Sequence, residues 1–278
     1  DLVSSRGLGD VYKRQITEGG SDWRKIIVID SEKKSIIEDT LIDVKFSSVS
    51  WRGNEGFYYS SYPNPKNTSE LSAKTQLHKL YYHKLGTPQT SDKLIYGGEK
   101  QPNRYISGYV TEDQNFLVIS ASKTTSGNQL HILDLKKQRL VTIHKEYMNR
   151  LSVIHNEGNQ FFIYTNIESP NGRVFSVNLN SPKKWNDIIP EKENVLSASF
   201  GGGYLFASYL VDAKTEVEQL DLNGKLIRKI ELPGIGTASG FSAKKEDKDL
   251  YYSFRSFTFP STIYNLSLIH ISEPTRRD

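Results

Sequence analysis

Six short apolar segments, each ending on a residue that opens a turn, recur along this chain at 26–30, 80–84, 130–134, 174–178, 218–221 and 263–265. Their last residues, Asp30, Lys84, Asp134, Asn178, Asp221 and Asn265, lie 54, 50, 44, 43 and 44 positions apart. A period of roughly 40–50 residues made of short strands is the sequence signature of propeller blades. Each interval keeps one internal order. A further strand follows the anchor, as at Ile36 and Ile37, 140–143 and 226–230. A strand pair split by a turn comes next: 46–51 with 57–60, 105–110 with 116–120, 151–155 with 161–165, 195–200 with 204–210, and 238–241 with 250–254. Turns such as Asn156-Glu-Gly158 and Gly201-Gly-Gly203 have the Gly- and Asn-rich character of tight hairpins. Four strands per interval make one blade. The chain therefore reads as all-β, a β-propeller of four-stranded blades, about five of them plus a partial one. No stretch sustains apolar residues at i, i+3, i+4 and i+7, so helices should be few.

Composition narrows the function classes. Sixteen Tyr and twelve Phe against a single Met suit strands. The 36 Lys and Arg and 32 Asp and Glu give a net charge of +4 spread along the chain, which is no footprint for nucleic acid. Apolar runs such as 204–210 fall far short of the ~20 residues of a membrane-spanning helix, so no membrane partner is expected. The absence of Cys removes disulfides, thiolate metal sites and Cys nucleophiles together. It leaves the compartment open between cytoplasm and periplasm.

The two ends are out of character. Residues 1–15 and 267–278 carry neither strand alternation nor a helix stripe, and both resemble translated sequencing-adapter read-through. On this reading residues 16–266 are a partial propeller domain, an interior slice of a longer protein; native tails are the alternative.

The nucleophile elbow Gly-x-Ser-x-Gly does not occur, and Gly236-Thr-Ala-Ser-Gly240 has the wrong spacing. The histidines, His78, His83, His131, His144, His155 and His270, form no His-Glu-x-x-His or other close ligand pair. His83 and His131 lie near blade anchors, where packing is the expected role. Phosphate loops, dinucleotide fingerprints and calcium loops are missing. Asn67-Thr-Ser69 matches a glycosylation acceptor inside a polar loop. The lysine pairs at 33–34, 136–137 and 183–184 sit in turns and read as solvated. No catalytic residue, cofactor or metal ligand is assigned.

Several strings, taken together and in order, resemble the propeller of the prolyl oligopeptidase family of serine peptidases. They run from Gly20-Ser-Asp-Trp23 through Val44-Lys-Phe-Ser47, Trp51, Phe57-Tyr-Tyr-Ser60 and Tyr62-Pro63. Tyr81-Tyr-His-Lys-Leu-Gly-Thr87, Thr165-Asn166, Ile189-Pro-Glu191, Gly240-Phe-Ser242 and Tyr252-Ser-Phe254 continue the series. The resemblance implies a slice of a seven-bladed propeller that interrupts an α/β-hydrolase domain carrying the Ser, Asp and His triad. It implies a gate admitting only short, proline-containing peptides to that domain, with no activity in the slice itself. By position in the matching motifs, Phe46 and Tyr105 line the substrate pocket, each with an ordinary inner-strand aromatic as the alternative. Asp22 and Trp23 read as structural. Ala121 departs from members that carry a cavity-facing Arg there. Two other readings stay open: a freestanding propeller binding a protein or glycan, and the gate of a related oligopeptidase favouring basic residues. Against the first, no blade carries the Gly-His and Trp-Asp signature.

Overall fold

The computed structural model describes residues 11–17, 23–30, 32–38, 40–63, 76–99, 101–269 and 275–276, with only the backbone described for the first and last of these ranges. Asp22, Asn67-Thr-Ser69, His270 and most of the two end segments lie outside them. The chain divides into two compact units, residues 1–148 and 149–278.

The first unit opens with a partial blade of β1 (Val11–Thr17), β2 (Trp23–Asp30) and β3 (Leu41–Lys45). Residues 11–15 of the end segment set apart above belong to β1, in register with β2 from Val11↔Asp30 to Thr17↔Arg24. A four-stranded blade follows: β4 (Ser50–Arg52), β5 (Gly56–Ser61), β6 (Lys79–Lys84) and β7 (Lys93–Gly97). The pair Val44↔Ser61 joins it to the partial blade. The next blade is β8 (Tyr105–Val110), β9 (Phe116–Ser122), β10 (Gln129–Asp134) and β11 (Arg139–His144).

The second unit repeats the meander three times. Its blades are β12 (Leu151–Glu157), β13 (Gln160–Thr165), β14 (Arg173–Asn178) and β15 (Trp185–Ile189); then β16 (Leu196–Gly201), β17 (Tyr204–Val211), β18 (Lys214–Leu220) and β19 (Leu226–Ile230). The last is β20 (Thr237–Ser239), β21 (Asp249–Arg255), β22 (Thr262–Ser267) and β23 (Thr275–Arg276). All pairing is antiparallel, and the sole described helix is a 3₁₀ turn at Gln89–Ser91. None is long and apolar enough to cross a membrane among the described residues.

Both faces of a blade must be covered, and alternation along the second strand does this. In β5, Phe57 and Tyr59 pack with Ile26, Val28, Leu41 and Trp51 toward the partial blade. Tyr58, between them, packs the other way with Leu80, Ile106, Leu117 and Ile119. β17 repeats the device, with Leu205, Ala207 and Tyr209 in one cluster and Phe206 in the next. A strand buried on both sides loses its polar alternation, and β5 is accordingly buried at every position.

The repeat itself has a local cause. The first anchor lies on β2 of the partial blade and each later one on or against the third strand of its blade, and in four of the six the last residue holds the turn that follows. Asp134 Oδ1 accepts from the amides of Lys136 and Lys137 at 3.0 and 2.9 Å. Asp30 does the same for Glu32 and Lys33, Asp221 for Asn223 and Lys225, and Asn178 for Asn180. A short carboxylate or amide that bonds backbone two or three residues on is the ordinary maker of such turns. Two expected strands differ. Ile36 forms only an isolated bridge, to Ile29, and Leu41–Lys45 is the strand that pairs with β2 there. Phe46 lies outside the expected strand 46–51, which begins at Ser50.

A buried polar staple joins the partial blade to its neighbour. The His83 ring, 1% exposed, places Nδ1 2.7 Å from Asp92 Oδ1 and Nε2 3.2 Å from Glu38 Oε1. Tyr59 donates to the second oxygen of Asp92 at 2.7 Å, and the Gly86 amide to the second oxygen of Glu38 at 2.8 Å. Burial opposes a charge on His83, but hydrogen bonds to the two carboxylates outweigh it and raise the group to about 9. His83 and His131, expected to pack, are both buried, and each in addition bonds polar partners.

Two outcomes follow. Asp134→Ala lowers stability to urea by about 1–2 kcal/mol through its lost turn bonds, while Asp134→Asn keeps most of it. Because His83 is raised in the folded state, its contribution is complete below about 6.5 and is lost as pH rises through about 9. Thermal midpoints should fall across that window, and the His83→Gln variant should start lower and show a flatter alkaline limb.

Candidate functional site

The chain leaves β3 through a backbone that most side chains avoid. Phe46 has φ +49° and Asp43 φ +60°, both left-handed, which costs a non-glycine residue about 1 kcal/mol or more. Phe46 is held there by its neighbours. Ser47 Oγ accepts from the Ser60 amide at 2.7 Å, and Ser61 Oγ donates to the Asp43 carbonyl. The result is an aromatic ring 48% exposed, placed against two others. Tyr105, at the start of β8 and 46% exposed, meets it edge-on with centroids 5.9 Å apart. Tyr62 meets it edge-on at 6.3 Å. The two residues singled out from the sequence, 59 positions apart, therefore form one aromatic cluster.

His78 sets this geometry, and sequence reasoning gave it no role. Its ring is wholly buried and stacks on Tyr62 with centroids 4.2 Å apart. Nδ1 accepts from the Ile106 amide at 2.8 Å, so the neutral ring carries its proton on Nε2, which donates to the Lys45 carbonyl at 3.1 Å. One imidazole thus ties the residue before Phe46 to the residue after Tyr105. Burial holds it down to about 4, against the smaller opposing effect of the Lys45 bond. Only the buried environment, invisible in one sequence, marks His78 out. Lys45 itself reaches back over the Trp23 and Phe46 rings at 5.2 and 5.3 Å. Ala121, the position that departs from the family pattern, is wholly buried among Tyr58, Ile106 and Ile119.

In each unit the two ends of the blades differ. The loops entering a first strand, or joining second to third, expose apolar side chains. In the first unit these are Phe46, Tyr105 and Met148; in the second, Val195, Ile235, Phe257 and Phe259. The opposite loops carry Lys33, Lys34, Lys136 and Lys137 in the first unit and Lys183, Lys184, Lys244 and Lys245 in the second. Ile36, Ile37 and Ile269 on the one side, and Lys123, Lys145 and Lys192 on the other, depart from this division. No group of three or more His, Asp or Glu is placed for a metal ion among the described residues. A groove of about 320 Å³ in the second unit is lined by Tyr204, Gln219, Arg228 and Leu268, and Arg228 there donates to Gln219 and to the Ser267 carbonyl. That is a packing role.

Residues 15–274 match the family described as prolyl oligopeptidase, N-terminal β-propeller domain. A prolyl endopeptidase of Elizabethkingia miricola is 48% identical over 269 residues, 96% of this chain and 38% of that protein. A solved structure from a study of two prolyl endopeptidases superposes with a TM-score of 0.86 at 29% identity, over 96% of this chain and 39% of the other. Prolyl oligopeptidase B of Galerina marginata, bound to a 25mer macrocyclization substrate, gives 0.88 at 21% identity over 99% and 41%, a likeness of fold. The chain thus spans about two fifths of the length of the relatives it matches.

Since His78 is depressed from 6.5 to about 4, the unfolded chain takes up a proton there before the folded one does. Stability conferred by neutral His78 should be lost as pH falls from about 6.5 towards 4, on the order of 2 kcal/mol. Comparing urea midpoints of the wild type and His78→Gln at pH 7 and pH 5 reads this directly. The wild type should lose more on acidification than the variant.

Proposed function

The chain belongs to the prolyl oligopeptidase family, as its N-terminal β-propeller domain, and on that premise we propose that it is the substrate gate of a serine endopeptidase that cleaves short peptides after proline. The gate acts by exclusion and by contact. A rigid stack of blades over a catalytic site keeps folded proteins out, because only a flexible segment passes. Side chains at the blade ends then hold that segment. The catalytic triad belongs to an α/β-hydrolase domain outside this chain, so residues 16–266 alone are inactive.

The observation that carries this reading is the Phe46 and Tyr105 pair. The resemblance implies a pocket-lining role for both, and they lie 5.9 Å apart with nearly half of each side chain open to solvent. A strained backbone at Phe46 that leaves a large aromatic exposed adds little to stability. Strain of that kind is more economically explained by a ligand than by packing. The apolar blade ends favour the same assignment, since clustered exposed apolar groups mark a docking surface. In the parent that surface would meet the hydrolase domain.

The test has two arms. Purified alone, the chain should show no serine-reagent-sensitive turnover of a chromogenic proline peptide. The intact parent, recovered by extending the coding DNA past Leu266, should carry Gly-x-Ser-x-Gly followed by Asp and His and should turn the substrate over. In that parent, Phe46→Ala should raise KM about three- to tenfold with a smaller change in kcat, as loss of binding outside the reacting bond does. Turnover by the chain alone, or an open reading frame that ends without the triad, overturns the proposal; the second outcome favours a freestanding binding propeller.

A further inference from the structure

One ring at the end of the β8–β11 blade is shared by two cations. Tyr147, in the loop after β11, has the Arg104 guanidinium carbon 4.4 Å from its centroid and Lys123 Nζ 4.7 Å from it. The two charges are thus no farther apart than those distances combined, close enough to repel. Among the described residues neither Arg104 nor Lys123 forms an ion pair. Arg104 spends Nε–H on the Tyr147 hydroxyl and one Nη1–H on the Asn103 carbonyl at 3.0 Å. Three of the five guanidinium N–H groups are left for another partner. Lys123 is exposed, in a loop whose Thr124 and Ser126 hydroxyls bond each other at 2.9 Å.

The surroundings add positive charge. Lys145 lies near enough to His131 to help burial, the larger cause, hold that ring down to about 4. Gln129 Nε2 donates to the Lys145 carbonyl at 2.6 Å and fixes the start of this loop. Glu146 is the nearby acid, and its influence falls on His144. The place matters as much as the charge. Arg104 immediately precedes Tyr105, and Lys123 and Tyr147 come from the two loops at the same end of that blade. A peptide lying on Phe46 and Tyr105 therefore passes within reach of the pair.

We infer that Arg104 and Lys123, steadied by Tyr147, form a subsite for a carboxylate of the bound peptide. This rests on the peptide-gate reading. The carboxylate relieves the repulsion between the two cations, takes the remaining guanidinium N–H groups as a planar acceptor, and finds its hydrocarbon stem covered by tyrosine. It comes from a Glu or Asp side chain or from the peptide's own C-terminus.

Calorimetric titration of the full 278-residue chain tests this with three blocked peptides: one containing Glu and Pro, its Gln counterpart, and that counterpart with a free C-terminal carboxylate. The Glu peptide should bind about fivefold tighter than the Gln peptide, with the advantage shrinking in added salt. It should vanish in Lys123→Gln, an exposed position whose change leaves the fold intact, and in Arg104→Gln. A gain by the third peptide alone assigns the subsite to the C-terminus instead of a side chain. Equal binding of all three, or a preference that survives both substitutions, overturns the subsite and leaves the gate standing. Binding by none also overturns it, and the gate is then judged on the KM of the intact parent.

Discussion

A four-stranded sheet with apolar residues on both faces is not stable until both faces are covered, and this requirement organises the molecule. Phe57 and Tyr59 on one side of β5, with Tyr58 on the other, commit that blade to two neighbours at once. Leu205 and Phe206 do the same for β17. Removing an aromatic such as Phe57 from so closed a place costs about 3–5 kcal/mol, because neighbours on both sides cannot collapse into the gap. Each blade is therefore stabilised less by its own strands than by the blades it touches, as in repeat proteins generally.

At two joints, polar groups trapped between blades are paired with one another. His83, Asp92, Glu38 and Tyr59 satisfy one another across the joint between the partial blade and the next. His131 bridges Tyr96 on β7 and Thr142 on β11 at 2.9 Å each. The two histidines are both buried but differ in charge. His83 is flanked by carboxylates at both nitrogens and stays protonated, while His131 meets only hydroxyls and a nearby lysine and stays neutral. The partner set, more than the burial they share, decides the protonation state.

The aromatic cluster shows how such a scaffold fixes the place of two exposed rings. Phe46 is held in an unfavourable backbone region by hydrogen bonds from β5 and by His78 on the Lys45 carbonyl. The same imidazole grips the Ile106 amide, so the two exposed rings are set by one buried side chain. A second layer that fixes a first is what precise positioning demands. In this chain it comes from a loop-borne histidine at the entry to β6.

The blade repeat and its phase were legible because both arise within a few residues. Strand alternation is local, and so is the bond from Asp134 or Asp221 to amides two to four positions on. Outer strands such as Lys93–Gly97 and Trp185–Ile189 were missed for the complementary reason: half-exposed edge positions carry a weak apolar pattern. Phe46 and Tyr105 could be named from family motifs but not joined, and the extended conformation expected of Phe46 gave way to a left-handed one. The partners that impose it lie far off in the chain, with His78 33 residues from Lys45 and 28 from Ile106. The sequence alone determined an all-β chain of repeated blades with its turns in place. Tertiary structure decided which aromatics stay exposed, which histidine bears a charge and which cations share a ring, because each of these depends on groups that only packing brings together.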